Sequence, residues 1–448
     1  MADNLSELTE ALLSAARRAG ADAADALAVE GRSVSIEVLS GKLEHAERAE
    51  GTDIGLRVMI GQRQACVSSS DTHQETIHEM AARAVAMARE APEDSAIGLA
   101  DATQFSALRQ ADDLELADPS AEPNPKDLET DALMAEAAAL AVKGVAQVQG
   151  ASAGYSSTGI HLATSNGFSG GYRRTGRSIS AVAISGEGLS MERDYAGESR
   201  VYQRDLPQAE GIGKLAGERA VERIGARKPP TGAFPVVYDE RISSSLIGHL
   251  LAAINGASIV RGSSWLRDAL GEQVLPDGLT LTEDPFRKRI AGSRPFDGEG
   301  MPVSRRDIVA DGVLAGWTLD LGTARRLGLE STGNAARGTS APPSPSAGNV
   351  SLSQSNKSRD DLLADMGTGL LITSMIGSSI NPTTGDYSRG ASGFWVENGQ
   401  ITYPVNECTV AGNLRHMLLG LVSANDARPH LSRVVPSLLV EGLTIAGA

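Results

Sequence analysis

Apolar residues recur along this chain in two rhythms. Leu5, Leu8, Leu12 and Ala15 return every three or four positions, which predicts an amphipathic helix over 5–18, and Asn4 and Glu7 have capping-box spacing at its start. The rhythm then changes to every second position. Val34, Ile36 and Val38 alternate with Ser33, Ser35 and Glu37, and Ile54, Leu56, Val58 and Ile60 repeat the pattern. Gly61-Gln62 turns the chain into a further strand through Ala65 and Val67, and a helix is expected over about 72–90. The acidic, proline-containing stretch 118–126 reads as a loop, followed by a helix over 127–143 that Gly144 ends. Residues 146–200 are again strand-like, with Asn166-Gly167 as a turn, and a helix follows near 208–224.

Two prolines and two glycines within 225–232 interrupt any periodic element and mark a domain boundary. Beyond it come a strand at 235–238 and a helix over 241–254, whose apolar side is Ile242, Leu246, Leu250 and Ile254. Two hairpins follow, turning at Asp311-Gly312 and at Asn398-Gly399. The Pro-, Ser- and Gly-rich stretch 335–349 predicts a mobile loop. Strands and helices without regular βαβ alternation give an α+β fold in two domains. Residues 1–225 form a mixed domain of antiparallel strands and helices, and 233–448 a β-rich domain with hairpins and a few helices.

Composition narrows the function. The 448 residues are 41% hydrophobic and 22% charged, so the chain folds, and aromatics at 4% leave the core to Ala, Val, Leu and Ile. A formal charge of −15 repels phosphate backbones, and pairs such as Arg173-Arg174 and Arg305-Arg306 are too short to offset it; direct nucleic-acid binding is disfavoured. Cys66 and Cys408 are too few and too far apart for a disulfide framework or a metal knuckle. The first twenty residues carry acids where a signal peptide would carry basic residues and then an apolar run. The apolar stretch 369–377 is well short of the roughly 20 residues of a membrane span. A cytoplasmic protein with no membrane contact is expected.

Candidate chemistry is sparse. Of seven histidines, His73 and His78 are closest, but a five-residue gap on a helix turns them about 140° apart, and Gln74 stands where a zincin carries glutamate. No GxSxG elbow or P-loop occurs, and the glycine run at 211–217 reads as a helix start. Two constellations remain. The glycine-punctuated run 381–393 contains Asn381, Gly385, Asp386, Tyr387, Ser388, Arg389 and Gly390. It is either a hydrogen-bonded structural loop or a surface that grips a peptide or lines a cavity. His249, at the border of the apolar stripe of the 241–254 helix, reads first as a packed histidine, since one imidazole makes no metal site.

The run from Asn381 through Gly393 into Phe394-Trp395-Val396-Glu397-Asn398-Gly399 resembles a signature of the TldD/PmbA family, and Tyr403 to Leu414 continues it. Gly248-His249, Ser263-Ser264-Trp265-Leu266, Pro295-Phe296-Asp297-Gly298-Glu299-Gly300 and Ala324-Arg325-Arg326-Leu327 are similar to the PmbA (TldE) branch. The TldD branch carries HExxxH on the helix that resembles 241–254. Aligned on the histidine, His249, Leu250 and Ile254 occupy its positions; aligned on Gly262-Ser263-Ser264, Ile247, Gly248 and Ala252 do. The glutamate and second histidine are missing in either register, and no cysteine follows Cys408 to complete a zinc site.

The resemblance therefore implies a subunit that binds no metal or other cofactor, works beside a TldD-like partner that holds zinc, and shapes a chamber for unfolded peptides. Family substrates include a modified peptide antibiotic precursor and a labile antitoxin; the family's association with DNA gyrase is read as indirect. His249 and the 381–390 residues would then face the peptide or the partner, with no catalytic or metal-binding residue in this chain. The alternatives are an independent hydrolase around His249, Asp386 and Tyr387, and a non-enzymatic homodimeric binding protein; the isolated chain is in any case expected to be able to pair with itself.

Overall fold

The computed structural model describes residues 2–447; the side chains of Ala2, Asp3 and Ser378 lie outside the described set. The first half is one antiparallel sheet of six strands: β1 (Ala23–Leu39), β2 (Lys42–Ile60), β3 (Arg63–Ser69), β4 (Val145–Thr164), β5 (Ser169–Ser185) and β6 (Glu192–Arg200). Their spatial order is β3-β2-β1-β4-β5-β6. Four helices cover one face: α1 (Ala2–Ala19), α2 (Gln74–Glu90), α3 (Pro125–Leu140) and α4 (Ala209–Glu222). The period-two alternation decides which face. Ala24, Ala26, Ala28, Ile54, Leu56 and Val58 pack under α1 and α2, while Val34, Ile36, Ala153, Ile179 and Ala181 pack under α3 and α4. The small core residues bring elements very close. A Cβ at Gly213 would overlap the Ala135 carbonyl, so α4 lies directly on the backbone of α3.

Three expectations shift here. Helix α1 begins at Ala2, so Asn4 and Glu7 lie inside it instead of capping it. Helix α3 starts at Pro125, whose missing amide costs nothing at a first turn, and the Asn124 side chain caps it by accepting from Lys126. It ends at Leu140, short of Gly144. The glycine run does lie within α4.

After 226–231 the chain enters β7 (Gly232–Tyr238), then α5 (Glu240–Ala253), capped by Asp239. Short strands β8 (Leu281–Glu283), β9 (Arg306–Ala310) and β10 (Val313–Leu314) follow, with the Asp311-Gly312 turn at positive φ in both residues. Next are β11 (Ala335–Ala336), β12 (Ser344–Pro345) and β13 (Val350–Leu352), then the long strands β14 (Gly369–Ile380), β15 (Asp386–Glu397) and β16 (Gln400–Asn413). Strands β17 (Val422–Ser423), β18 (Arg433–Val434) and β19 (Leu438–Ala446) complete the set. The large sheet runs β16-β15-β14-β7-β19-β17, and β16 also pairs with β19 at Thr409–Ala411. Strands β16, β15, β14, β7 and β19 thereby close into a ring. Its buried side chains, among them Tyr238, Ile372, Trp395 and Val410, belong to a core shared with α5. Helices and largely antiparallel sheets make the fold α+β, as the sequence predicts.

The stretch 335–349 is not the free loop its composition predicts. Strands β11 and β12 pair, and Arg337 is fully enclosed in an ion pair with Asp25 of β1, which also accepts from Arg57 Nε at 2.6 Å. A Cβ at Gly55 would overlap the backbone of Thr339, so this segment lies flat on β2. A buried arginine that needs a carboxylate from 312 residues away leaves no trace in local composition.

Candidate functional site

Helix α5 packs its apolar stripe, Leu246, Ile247, Leu250 and Ile254, into the ring's core with no exposure. His249 lies beside the stripe, half-buried, with its Nε2 enclosed and without a hydrogen-bond partner. Its ring meets Tyr387 of β15 edge to face, centroids 5.8 Å apart and planes at 75°. The Tyr387 hydroxyl accepts from the Tyr238 hydroxyl at 3.5 Å and donates to Met375 Sδ at 3.4 Å. Burial pushes both phenols up, Tyr238 furthest.

Arg389, two residues along β15, shares the face of Tyr387. Its Nε donates to the Gly377 carbonyl at 2.7 Å, reaching across a stretch where β14 bulges and Gly377 turns to φ +70°. The bulge leaves Ile376 78% exposed, and a Cβ at Gly390 would come within 2.6 Å of its Cγ2. Burial, and then the Arg389 charge, lower the His249 pKa, so the imidazole is neutral at pH 7.

The rest of the 381–390 run does different work. Only 381–385 is a turn: Asn381 Oδ1 accepts from the amides of Thr383 at 3.0 Å and Thr384 at 3.3 Å, and Gly385 returns its amide to the Asn381 carbonyl. Gly385, at φ +79°, lies where a Cβ would press on the Trp265 ring at 3.2 Å. Asp386 is committed to Thr384 Oγ1 at 2.6 Å and Asn413 Nδ2 at 3.2 Å; these bonds depress its pKa and keep it away from His249. Ser388 and Gly390 alternate with Tyr387 and Arg389 along β15, on its other face. The structure thus unites His249, Tyr387 and Arg389, and separates them from Asn381, Gly385 and Asp386. Tyr238, Met375 and Gly377 complete the cluster; no local pattern announces them, because each comes from a different strand position.

A zinc ion does not fit this donor set. One imidazole faces two phenols, a thioether and a guanidinium, and a cation is repelled by Arg389. Among the described residues no group of three or more His, Cys, Asp or Glu is placed to share a metal. Cys408 is buried with its thiol pushed up to about 11 and its Sγ donating to the Ala391 carbonyl at 3.2 Å. His73 and His78 are apart too: His73 bonds Asp71, and His78 bonds Arg18. A cavity of about 650 Å³ opens in the first half, lined by Arg109, His161, Tyr172 and Tyr202 among others. Its His161 is held by Thr9 at 2.9 Å.

Comparison with known proteins places these features in a wider set. Three family models match: PmbA/TldA metallopeptidase domain 1 over 24–88, the central domain over 118–224 and the C-terminal domain over 231–447. Metalloprotease PmbA of Escherichia coli O157:H7 is 36% identical over 429 residues, 95% of this chain and 92% of that one. A metalloprotease PmbA homolog of Haemophilus influenzae is 35% identical, covering 96% and 94%. The crystal structure of a candidate modulator of DNA gyrase from Bacteroides thetaiotaomicron superposes with a TM-score of 0.91 at 30% identity, covering 99% of this chain and 98% of that one. TldE from Thermococcus kodakarensis shares the fold, with a TM-score of 0.86 at 20% identity and coverage of 98% and 100%.

Proposed function

Because this chain belongs to the PmbA/TldD metallopeptidase family, we propose that it is the metal-free subunit of a two-chain cytoplasmic zinc peptidase, shaping with a TldD-like partner a chamber for unfolded peptides. The observation that carries this reading is α5. Where the TldD branch carries its histidine, glutamate and second histidine, the chain has His249, Leu250 and Ile254, or Ile247, Gly248 and Ala252, and the Ile247, Leu250 and Ile254 side chains are buried in the core. A single imidazole with no carboxylate beside it can neither hold zinc nor activate water.

The cluster beside α5 suits a binding role. Beyond Ile372 no described strand pairs with the β7-side edge of β14, and an extended peptide would add there as a further strand. Neutral His249, Tyr387 and Arg389 would line that approach, and Ile376 offers an exposed apolar contact. Peptide maturation and antitoxin degradation are the substrate classes that the family likeness suggests. A link to gyrase would be indirect, since −15 charges oppose contact with DNA.

Reconstitution tests the reading. Mixed with a TldD-like chain, the pair should cleave an unfolded peptide and lose activity to a chelator, with zinc travelling with the partner. An isolated chain that binds stoichiometric zinc and cleaves the same peptide would overturn it.

A further inference from the structure

Strand β6 pairs with β5 only from Arg177 to Ser185, so among the described strands none flanks the first half of β5 on that side. The segment 109–116 takes the place. The Gly171 amide donates to the Arg109 carbonyl at 2.9 Å, and the Thr175 amide to the Leu116 carbonyl at 3.0 Å. Between these anchors the segment arches away from β5. The cavity of about 650 Å³ lies between the arch, strands β4 and β5, and the start of α1, and its size is that of a small-molecule site. Leu5, Ile160 and the rings of Tyr172 and Tyr202 give it apolar wall.

Most of the charged groups around the cavity are already answered. Arg173 donates to Glu30 at 2.6 Å and to Ser157 at 3.0 Å. Glu115 accepts from Lys288 at 3.1 Å and from Arg289 at 2.7 Å. Thr9 gives its hydroxyl proton to the Ser6 carbonyl, so His161 Nδ1 must donate to Thr9 Oγ1 at 2.9 Å. Burial lowers the pKa of that histidine, and its ring is neutral at pH 7. Arg109 is the exception. Its guanidinium lies over the Phe168 ring at 4.3 Å, and its Nη1 is enclosed and, among the described residues, without a hydrogen-bond partner. An enclosed cationic donor left bare is costly, and an oxyanion removes that cost. A single unanswered positive charge, with Asp112 exposed nearby, suits a monoanion and opposes a dianion such as phosphate.

We propose that this cavity binds a small organic monocarboxylate, whose carboxylate meets Arg109 and whose apolar body lies against Leu5, Ile160 and Tyr202. The floor of the cavity suits such a body. Gly171 has no side chain, and a Cβ there would come within 2.9 Å of the His161 ring, so the imidazole lies close on the strand and leaves the space above it open. Neutral His161 adds no second charge. The site uses neither His249 nor β14 and stands apart from the peptidase reading.

Isothermal titration of the full chain at neutral pH with phenylacetate and with hexanoate should show one site per chain for at least one of the two, with a dissociation constant in the millimolar range or tighter. Phenylacetamide, the uncharged analogue, should give no heat. Arg109→Met keeps an apolar chain over Phe168 and should weaken the carboxylate by about tenfold or more, the share of one hydrogen bond to a charged group. Ser6→Trp fills the cavity from the surface of α1 and should abolish binding with unchanged circular dichroism, which keeps the test independent of how Arg109→Met folds. Silence from both carboxylates, equal binding of the amide, or binding that survives either variant would each overturn the proposal. So would inorganic phosphate that binds more tightly than both carboxylates, since the cavity would then be a phosphate site.

Discussion

The His249 imidazole stands edge-on to the Tyr387 ring at 5.8 Å, with Arg389 adding its charge from the same strand as the tyrosine. Helix α5 and strand β15 are thus tied by a ring contact at the point where the 381–390 run reaches the core.

This contact is open to titration. His249 should titrate below the ordinary value of 6.5 in an NMR experiment, and Arg389→Gln should raise its midpoint by removing a like charge. Because the folded value is the lower one, His249's contribution to stability is complete above 6.5 and falls away as pH drops below it. Tyr387→Phe keeps the ring contact and should cost about 1 kcal/mol by urea denaturation, while Tyr387→Ala should cost about 3–5 kcal/mol.

Glu299 gives a pH dependence of opposite slope. Burial, and then nearby Asp297, raise its pKa from 4.5 to about 8. The folded state therefore holds a proton that the unfolded state releases. Stability is complete below 4.5 and declines as pH rises toward about 8. Glu299→Gln keeps an acceptor for the Leu321 amide, now 2.9 Å from Glu299 Oε2, and should flatten the denaturation midpoint between pH 5 and 8.

Two glycines of α4 should respond with opposite signs. Gly213→Ala forces a Cβ into the Ala135 carbonyl and should destabilise by about 2 kcal/mol or more. Gly211→Ala meets nothing within 4 Å and should stabilise the helix by about 0.5–1 kcal/mol. Thermal melts of the two variants side by side check both.

Asp25 serves two buried guanidinium groups, Arg57 and Arg337. Asp25→Ala strands both and should cost about 3–5 kcal/mol, read as a lowered denaturation midpoint. Limited proteolysis should then cut within 335–349, since that segment loses its anchor on β1.

Periodicity made the long elements legible. Alternation in 33–38 and 54–60 and the Asn-Gly and Asp-Gly turns report local backbone preference, and the structure has a strand or hairpin at each. Helix ends were less legible, because Asn4 resembles a cap yet lies within α1, while Asn124 caps α3 ahead of a proline. Long-range contacts were not legible at all. The β16–β19 pairing and the Asp25–Arg337 ion pair join residues whose neighbours in sequence give no hint of them. The same holds for the site: the 381–390 run stands out by its glycines, but its division into a turn and a strand face depends on the Asn381 bonds and the β14–β15 register, and the meeting of Tyr387 with His249 on the packing of α5 against β15.

The ring of the second half has a bearing on how the protein is made. Strand β7 is the earliest of its members to be synthesised, and two of its partners, β14 and β19, come more than a hundred residues afterward, with β19 between β7 and β16. During translation the six-stranded sheet can assemble once β6 has emerged, but β7 waits with an apolar flank uncovered until residues 438–446 clear the ribosome. A nascent polypeptide stalled in that interval is the form on which a chaperone has most reason to act.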